Sequence, residues 1–449
     1  MALVCELARG AAPLGTSYAW SVTQACVAAA ALAVAWRSQD RLRLPAVLAL
    51  GFVLEVGLFL IHSHLHNPGD YDSVVLYPRQ GNALLHGHYP RSEYPPGAVS
   101  IFAFEAWVAG GTTRTANALL MVPFQLLSVA AIWRLRTRWS AWFATLVAVW
   151  PLNGFFWEFR FDLVPTAALV LGLLLAWRER WLLAGIVLGL GAAVKWTPAL
   201  SALALVVWLA ASGRRRLAGV HAAAFVIAFL AVNLPFVAWQ PSEVLAAYGR
   251  QGGRGITGES APYLVLRLFG HAKSAYYFWD PAQVPSSADD VSVAVQLLLA
   301  AALLAAVVVA RRRQRAAIAL AALGPTLFLL TNRVFSPQFL VLLLASWAVA
   351  GALVCGSRGQ QLAVGLLALG ASLANALLFP TLAAPVPQFP DWTYYSAAVF
   401  VGGFAVTCWL VVLARAAEDG GPVLTTGRAR SARPRTRAAA SGAASSGAG

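Results

Sequence analysis

The chain has 449 residues, of which 59% are hydrophobic and only 11% charged, and its formal net charge is +15. A soluble domain carries about 25% charged residues, so a soluble fold is excluded. Unbroken Ala/Leu/Val runs stand where a transmembrane β-barrel would show short alternating segments, and the chain reads as an all-α, polytopic helical membrane protein.

Nearly all of the positive charge is arginine, since Lys195 and Lys273 are the only lysines. In a membrane protein, arginine collects in loops on the cytoplasmic side, so the charge points to orientation and not to nucleic acid. The four cysteines, Cys5, Cys26, Cys355 and Cys408, are scattered and form no CxxC pair. They predict neither a disulfide framework nor a zinc site.

Residues 1–16 are a short N-terminal segment. Ser17 to Trp36 is expected to be a retained span, because no basic stretch or evident cleavage site precedes it. Further apolar blocks fall at 45–62, 97–111, 116–133, 140–157, 163–177, 181–194, 197–211, 217–238, 292–310, 316–331, 335–354, 361–380 and 393–414. The block at 97–111 is short, contains Glu105 and follows Pro95-Pro96, so it is expected to be re-entrant or interfacial where protein covers it. That leaves about 13 transmembrane helices within a domain at 17–415, with the N-terminus outside and the C-terminus inside. The basic stretches Arg37 to Arg43, Arg134 to Arg138, Arg178/Arg180, Arg214 to Arg216, Arg311 to Arg315 and Arg358 then all face the cytoplasm. Residues 416–449, rich in Arg, Ala, Gly and Ser without periodicity, are expected to be a disordered cytoplasmic tail whose arginines touch anionic membrane lipids.

Function is to be sought in the polar stretches of the opposite face, chiefly the outer loops at about 63–97 and 239–291. In the first, Asp70, Asp72 and Glu93 are carboxylates at the membrane surface, where one could serve as a general base toward an acceptor hydroxyl. Asp70 and Asp72 could equally cap the interleaved polar/apolar helix expected over Val74 to Leu85, which contains Tyr77 and reads as interfacial. His62, His64 and His66 alternate, with His86 and His88 downstream. Only an extended segment would place the first three on one side, so they are a weak candidate for a divalent cation, and no cofactor is expected. Glu158, Arg160 and Asp162 could form a local ion-pair cluster. Lys195 sits at the outer end of an apolar segment, against the orientation bias, before the helix-breaking Pro198. A glycine-rich stretch carries Arg250, Arg254, Glu259 and Ser260, with backbone amides open to an anion. Finally, Arg333, Ser336 and Gln338 flank Pro337 where another segment breaks. Cations near a carboxylate base suit displacement of a phosphate leaving group, on which negative charge develops.

These stretches together resemble a known family. Asp72, Tyr77, LLHGHYP and EYPPGA, then RFDLVP at 160–165, GLGAAVKWTP at 189–198, RGITGES at 254–260 and VFSPQFL at 334–340 resemble the multi-span GT-C glycosyltransferases. Among them the chain is most similar to the family 87 type, the polyprenol-phosphate-sugar-dependent mannosyl- and arabinosyltransferases, over about residues 45–410. The resemblance implies a polyprenyl-phosphate sugar donor, a lipid or glycan acceptor, an active site on the extracytoplasmic face of the plasma membrane, and inversion at the anomeric carbon. It also implies a first-loop aspartate base. The family pattern has that aspartate four residues before the tyrosine, where this chain has Ser73, so Asp72 and Asp70 both stand as candidates. Carried over to this chain, Tyr77, Glu93, Tyr94, Arg160, Asp162, Lys195, Arg254, Glu259, Ser260, Arg333, Ser336 and Gln338 would bind substrate. The rival reading is a lipid or sugar transporter of the envelope, against which stand the lack of an internal repeat and the gathering of charge at one surface.

Overall fold

The computed structural model describes residues 26–38, 42–64, 75–110, 114–149, 160–273, 281–376 and 392–417. Asp70, Asp72, His66, Glu158, the segment 1–16 and nearly all of the tail lie outside these residues, as do the side chains of His62 and His64.

The described chain is helical, and its only β contact is a single bridge between Thr257 and Pro281. The helices are α1 (Cys26–Arg37), α2 (Leu44–His64), α3 (Tyr77–Leu85), α4 (Pro96–Ala109), α5 (Arg114–Trp133), α6 (Ser140–Ala148), α7 (Leu163–Trp177), α8 (Trp181–Val194) and α9 (Thr197–Ala211). They continue with α10 (Arg215–Trp239), α11 (Pro241–Gly252), α12 (Ala261–Leu268), α13 (Ala288–Val309), α14 (Gln314–Thr331), α15 (Leu340–Val354), α16 (Arg358–Ala376) and α17 (Trp392–Ala416). Among the described residues, six stretches are long and apolar enough to cross a membrane: Thr115–Trp133, Arg215–Trp239, Ala288–Val309, Gln314–Thr331, Pro337–Val354 and Ser396–Ala416. That is fewer than the hydropathy blocks suggested, because several blocks form shorter helices, such as the 15-residue α7, 14-residue α8 and 15-residue α9. At 1.5 Å per residue such helices fall short of a hydrocarbon core about 30 Å thick.

Hydrogen bonds divide the loops between two ends. At one end Arg178 Nη2 donates to Arg134 O (2.9 Å), Ser212 Oγ to Arg311 O (2.6 Å), Arg313 Nη1 to Arg415 O (2.8 Å) and Trp139 Nε1 to Cys355 O (2.6 Å). These are the arginine-bearing loops. At the other end residues 86–95, the α8–α9 break, the glycine-rich stretch and the turn before α15 come together.

Close backbone approach fixes the helices that carry the site. Gly185 and Gly189, one turn apart on α8, face the carbonyls of His221 and Phe225 on α10, where a Cβ would collide with backbone. Such small-residue spacing lets membrane helices pack on their backbones, where lipid offers no hydrophobic drive to associate. Gly81 of α3 meets Phe102 O of α4, and a Cβ on Gly97 would come within 2.5 Å of Ala193 O near the end of α8. The expected helix over Val74 to Leu85 is thus present from Tyr77 and packs its Tyr77, Gln80 and Gly81 side onto protein, with no side chain capping its start. α4 begins against the end of α8, and Asn117, in the first turns of the next helix, donates to Arg160 O (3.5 Å) at that same end.

Candidate functional site

The floor of the site is aromatic. Tyr77 is 1% exposed and stacks on Phe102 with ring centroids 4.1 Å apart, while Tyr94 and Phe161 meet both edge-on at 5.3–5.8 Å. Ser92 fixes the loop above it, donating to Gln80 Oε1 and accepting from Tyr94 N, each at 2.9 Å. Ser92 and Glu93 in turn present their carbonyls to the glycine-rich stretch. Arg250 donates twice to Ser92 O (2.9 and 2.5 Å) and Gln251 donates to Glu93 O (2.8 Å). The Glu93 carboxylate lies 3.7 Å from Arg254 Nη1.

Next to this loop, Asp162 stands at the position that would cap α7, yet its side chain does not cap. It forms an ion pair with Lys195. Lys195 is extended at the α8–α9 break, with Pro198 opening the next helix, and its ammonium lies 4.1 Å from the Phe339 ring centroid and 5.7 Å from that of Phe161. Burial holds Lys195 below its usual pKa, with Arg160 and Arg254 adding to the effect and Asp162 opposing it. Arg160 is 7% exposed. Burial lowers its guanidinium to about 10, against the pull of Asp162 and Glu259. Of the local cluster that the sequence suggested around Arg160, Asp162 attracts the guanidinium while also pairing with Lys195, and Glu158 lies outside the described residues.

The third wall joins the glycine-rich stretch to the turn before α15. Thr257 N donates to Arg333 O and Arg333 Nη2 donates to Gly252 O, both at 2.9 Å. Arg333 Nη1 lies 3.5 Å from Asp289 in the first turn of α13. Glu259 is buried beside them and accepts from Ser336 Oγ at 3.4 Å. Burial pushes its carboxyl up to about 8, outweighing Arg254, Ser336 and Arg160, which favour the ionised form. Ser260 caps α12, its Oγ accepting from Tyr263 N at 3.3 Å. Gln338 follows in the 3₁₀ turn Pro337–Phe339.

Five stretches far apart in sequence therefore supply one charged cluster: Glu93, Arg160, Asp162, Lys195, Arg254, Glu259, Arg333 and Ser336. Tyr77 and Tyr94 belong to the aromatic packing behind it. Arg250 was singled out in the glycine-rich stretch, whereas Gln251, Asp289 and Phe339 were not and carried no visible signal in the sequence. With Glu259 protonated below about pH 8, the cations Arg160, Lys195, Arg250, Arg254 and Arg333 exceed the carboxylates Glu93, Asp162 and Asp289 by two among the described residues. That excess suits a phosphate, which takes charge-assisted bonds from guanidinium and ammonium groups. Among the described residues no group of three His, Cys, Asp or Glu could hold a metal ion. His86 and His88 each place Nδ1 against a backbone carbonyl, Asn82 O at 2.8 Å and His86 O at 2.9 Å.

Residues 93–337 match a family model described as Glycosyltransferase family 87. The match begins at Glu93 and ends at Pro337, so it takes in every wall of the cluster and leaves out the aspartates of the first loop. No curated protein and no solved structure matches the chain significantly.

Proposed function

The chain belongs to glycosyltransferase family 87, and on that premise we propose that it moves one sugar, mannose or arabinose, from a polyprenyl-phosphate donor to a hydroxyl of a lipid or glycan acceptor. The reaction runs on the extracytoplasmic face of the plasma membrane. The observation that carries this reading is the convergence of Arg160, Lys195, Arg254 and Arg333 at the end of the helices opposite the arginine-bearing loops. The positive-inside bias favours those loops on the cytoplasmic side, which supports an outside position for the cluster.

In the transfer, the acceptor oxygen attacks the anomeric carbon and the bond from that carbon to the phosphate oxygen breaks, with inversion. Asp72, with Asp70 as rival, takes the acceptor proton. The donor phosphodiester carries one negative charge and leaves as a monoester approaching two, so Arg160, Lys195, Arg254 and Arg333 meet more negative charge on the product side of the step than on the donor. Stabilising charge where it develops is what lowers a barrier. Arg254 and Arg333 have only exposed or half-buried carboxylate partners, and exposed pairs hold their members weakly, so both can turn to a phosphate. Arg160 is buried and Lys195 is held by Asp162, so these two supply a fixed field. No divalent cation is required by this scheme.

The test is the full-length protein in vesicles given radiolabelled polyprenyl-phosphate mannose or arabinose. Label is expected in a new acceptor-linked product together with released polyprenyl phosphate. Label that crosses the bilayer still attached to its carrier, with no product, would replace this reading by transport. Mass analysis of envelope lipids and glycans in a strain lacking the protein would then name donor and acceptor together.

A further inference from the structure

Among the described residues, the charged cluster holds four carboxyl groups, and three of them face a cation. Asp162 is paired with Lys195, the Glu93 carboxylate lies 3.7 Å from Arg254 Nη1, and Asp289 lies 3.5 Å from Arg333 Nη1. Glu259 is the exception. It is 3% exposed, yet among the described residues no cation comes within ion-pair distance of it. The hydrogen bond it accepts from Ser336 Oγ is long, at 3.4 Å.

Its backbone is fixed on both flanks. Ser260 N and Ser260 Oγ both donate to Thr257 O, at 3.1 and 2.8 Å, so Glu259 lies inside a closed turn. Thr257 N anchors that turn to Arg333 O at 2.9 Å, and Ser260 caps α12 on the other side. Burial keeps the Glu259 carboxyl in its acid form up to about pH 8, while Arg254 and Arg160 are the charged groups that favour ionisation, with Ser336 adding its hydrogen bond. A neutral acid therefore stands unpaired among groups otherwise suited to a phosphate, and such an acid can give up its proton at neutral pH.

We propose that Glu259 is the general acid of the transfer, donating its carboxyl proton to the phosphate oxygen that leaves the anomeric carbon. This role rests on the sugar transfer proposed above. As the acceptor oxygen bonds to the anomeric carbon, the electron pair of the breaking carbon–oxygen bond passes to the phosphate oxygen. The acceptor proton goes to the first-loop base, and the Glu259 proton goes to the phosphate, which leaves as a singly charged monoester. Glu259 is then a carboxylate, the form that Arg254 and Arg160 favour, so the guanidinium groups that attract the donor also stabilise the charge left on the acid. Solvent returns one proton from the base to Glu259, and no further reactant is needed.

The full-length protein in vesicles is assayed for transfer from radiolabelled polyprenyl-phosphate mannose or arabinose across about pH 6–10, a range in which the donor phosphodiester does not titrate. In the wild type kcat is expected to fall above about pH 8, as Glu259 loses its proton. Glu259→Gln keeps the shape and neutrality of the acid but has no proton to give, so kcat is expected to drop about 10²–10⁴-fold with KM little changed, and the alkaline fall to vanish. Ser336→Ala removes a hydrogen bond that favours the ionised form, so its alkaline fall is expected at higher pH than in the wild type, a readout that needs no Gln variant to fold. The proposal is overturned by a wild type that stays fully active to pH 10, by an alkaline fall that persists in Glu259→Gln because Lys195 sets it, or by one that does not move in Ser336→Ala. Each of these leaves sugar transfer standing. A wild type that transfers no sugar at any pH removes the transfer itself, and the acid with it.

Discussion

Lys195 and Asp162 close an ion pair between the end of α8 and the start of α7, and Asp162 gives up capping its own helix to make it. A buried pair is worth little against apolar replacement, but breaking it from one side leaves an uncompensated charge. Lys195→Met is therefore expected to lower stability by about 3 kcal/mol, and Lys195→Met/Asp162→Asn to recover much of that loss. Thermal unfolding in detergent measures both. Neither variant is expected to regain transfer, because the double variant restores packing and not the cation.

Glu259 makes stability depend on pH. Its carboxyl titrates at about 8 when folded against about 4.3 in an unfolded chain, so between those values the folded state holds more protons. Stability from this group falls as pH rises from about 4.3 to 8 and is level beyond. Glu259→Gln should flatten the fall in Tm between pH 5 and 8. An unchanged slope in the variant would mean that some other group sets it.

Arg254 and Glu93 form a half-exposed pair that adds less than about 1 kcal/mol to folding. Arg254→Gln is accordingly expected to leave Tm within a degree or two. Its effect falls on donor binding, where loss of a charged hydrogen bond of about 1.5–3 kcal/mol raises KM for the polyprenyl-phosphate sugar roughly 10- to 100-fold.

Glycines of the two walls should respond oppositely to alanine. Gly97 meets Ala193 O and Gly81 meets Phe102 O, so either substitution forces backbone apart; a Cβ on Gly252 would meet nothing within 4 Å. Gly97→Ala should abolish accumulation of folded protein. Gly252→Ala, with no positive φ to strain it, should be neutral or stabilising by about 0.4–1 kcal/mol. Size-exclusion profiles and Tm distinguish these outcomes.

Asp72→Asn is expected to lower kcat by about 10²–10⁴, the worth of a positioned base, and Asp70→Asn by much less. The reverse order would pass the role to Asp70. Full activity in both would remove the first-loop aspartates from the chemistry.

Much of this molecule was legible in its sequence, for reasons particular to membranes. The apolar blocks at 163–177, 181–194 and 197–211 coincide with α7, α8 and α9, because Pro198 and the arginine loops punctuate them sharply. Sorting cations by side brought out Arg160, Lys195, Arg254 and Arg333, which the fold gathers. What sequence could not give is who pairs with whom. Asp162 attracts Arg160 two residues away, but its pairing with Lys195, 33 residues on, had no local signal. Asp289 looked like an ordinary acidic helix start until the fold set Arg333 beside it. Crossing helices are parallel rods, and nothing in hydropathy says which loop end stands next to which.

Arg250 and Gln251 hold the loop before α4 by the main-chain oxygens of Ser92 and Glu93. A carbonyl is present whatever the side chain, so this clasp survives replacement at either position. Side chains along that loop can then vary while its seating on the rest of the protein is inherited unchanged.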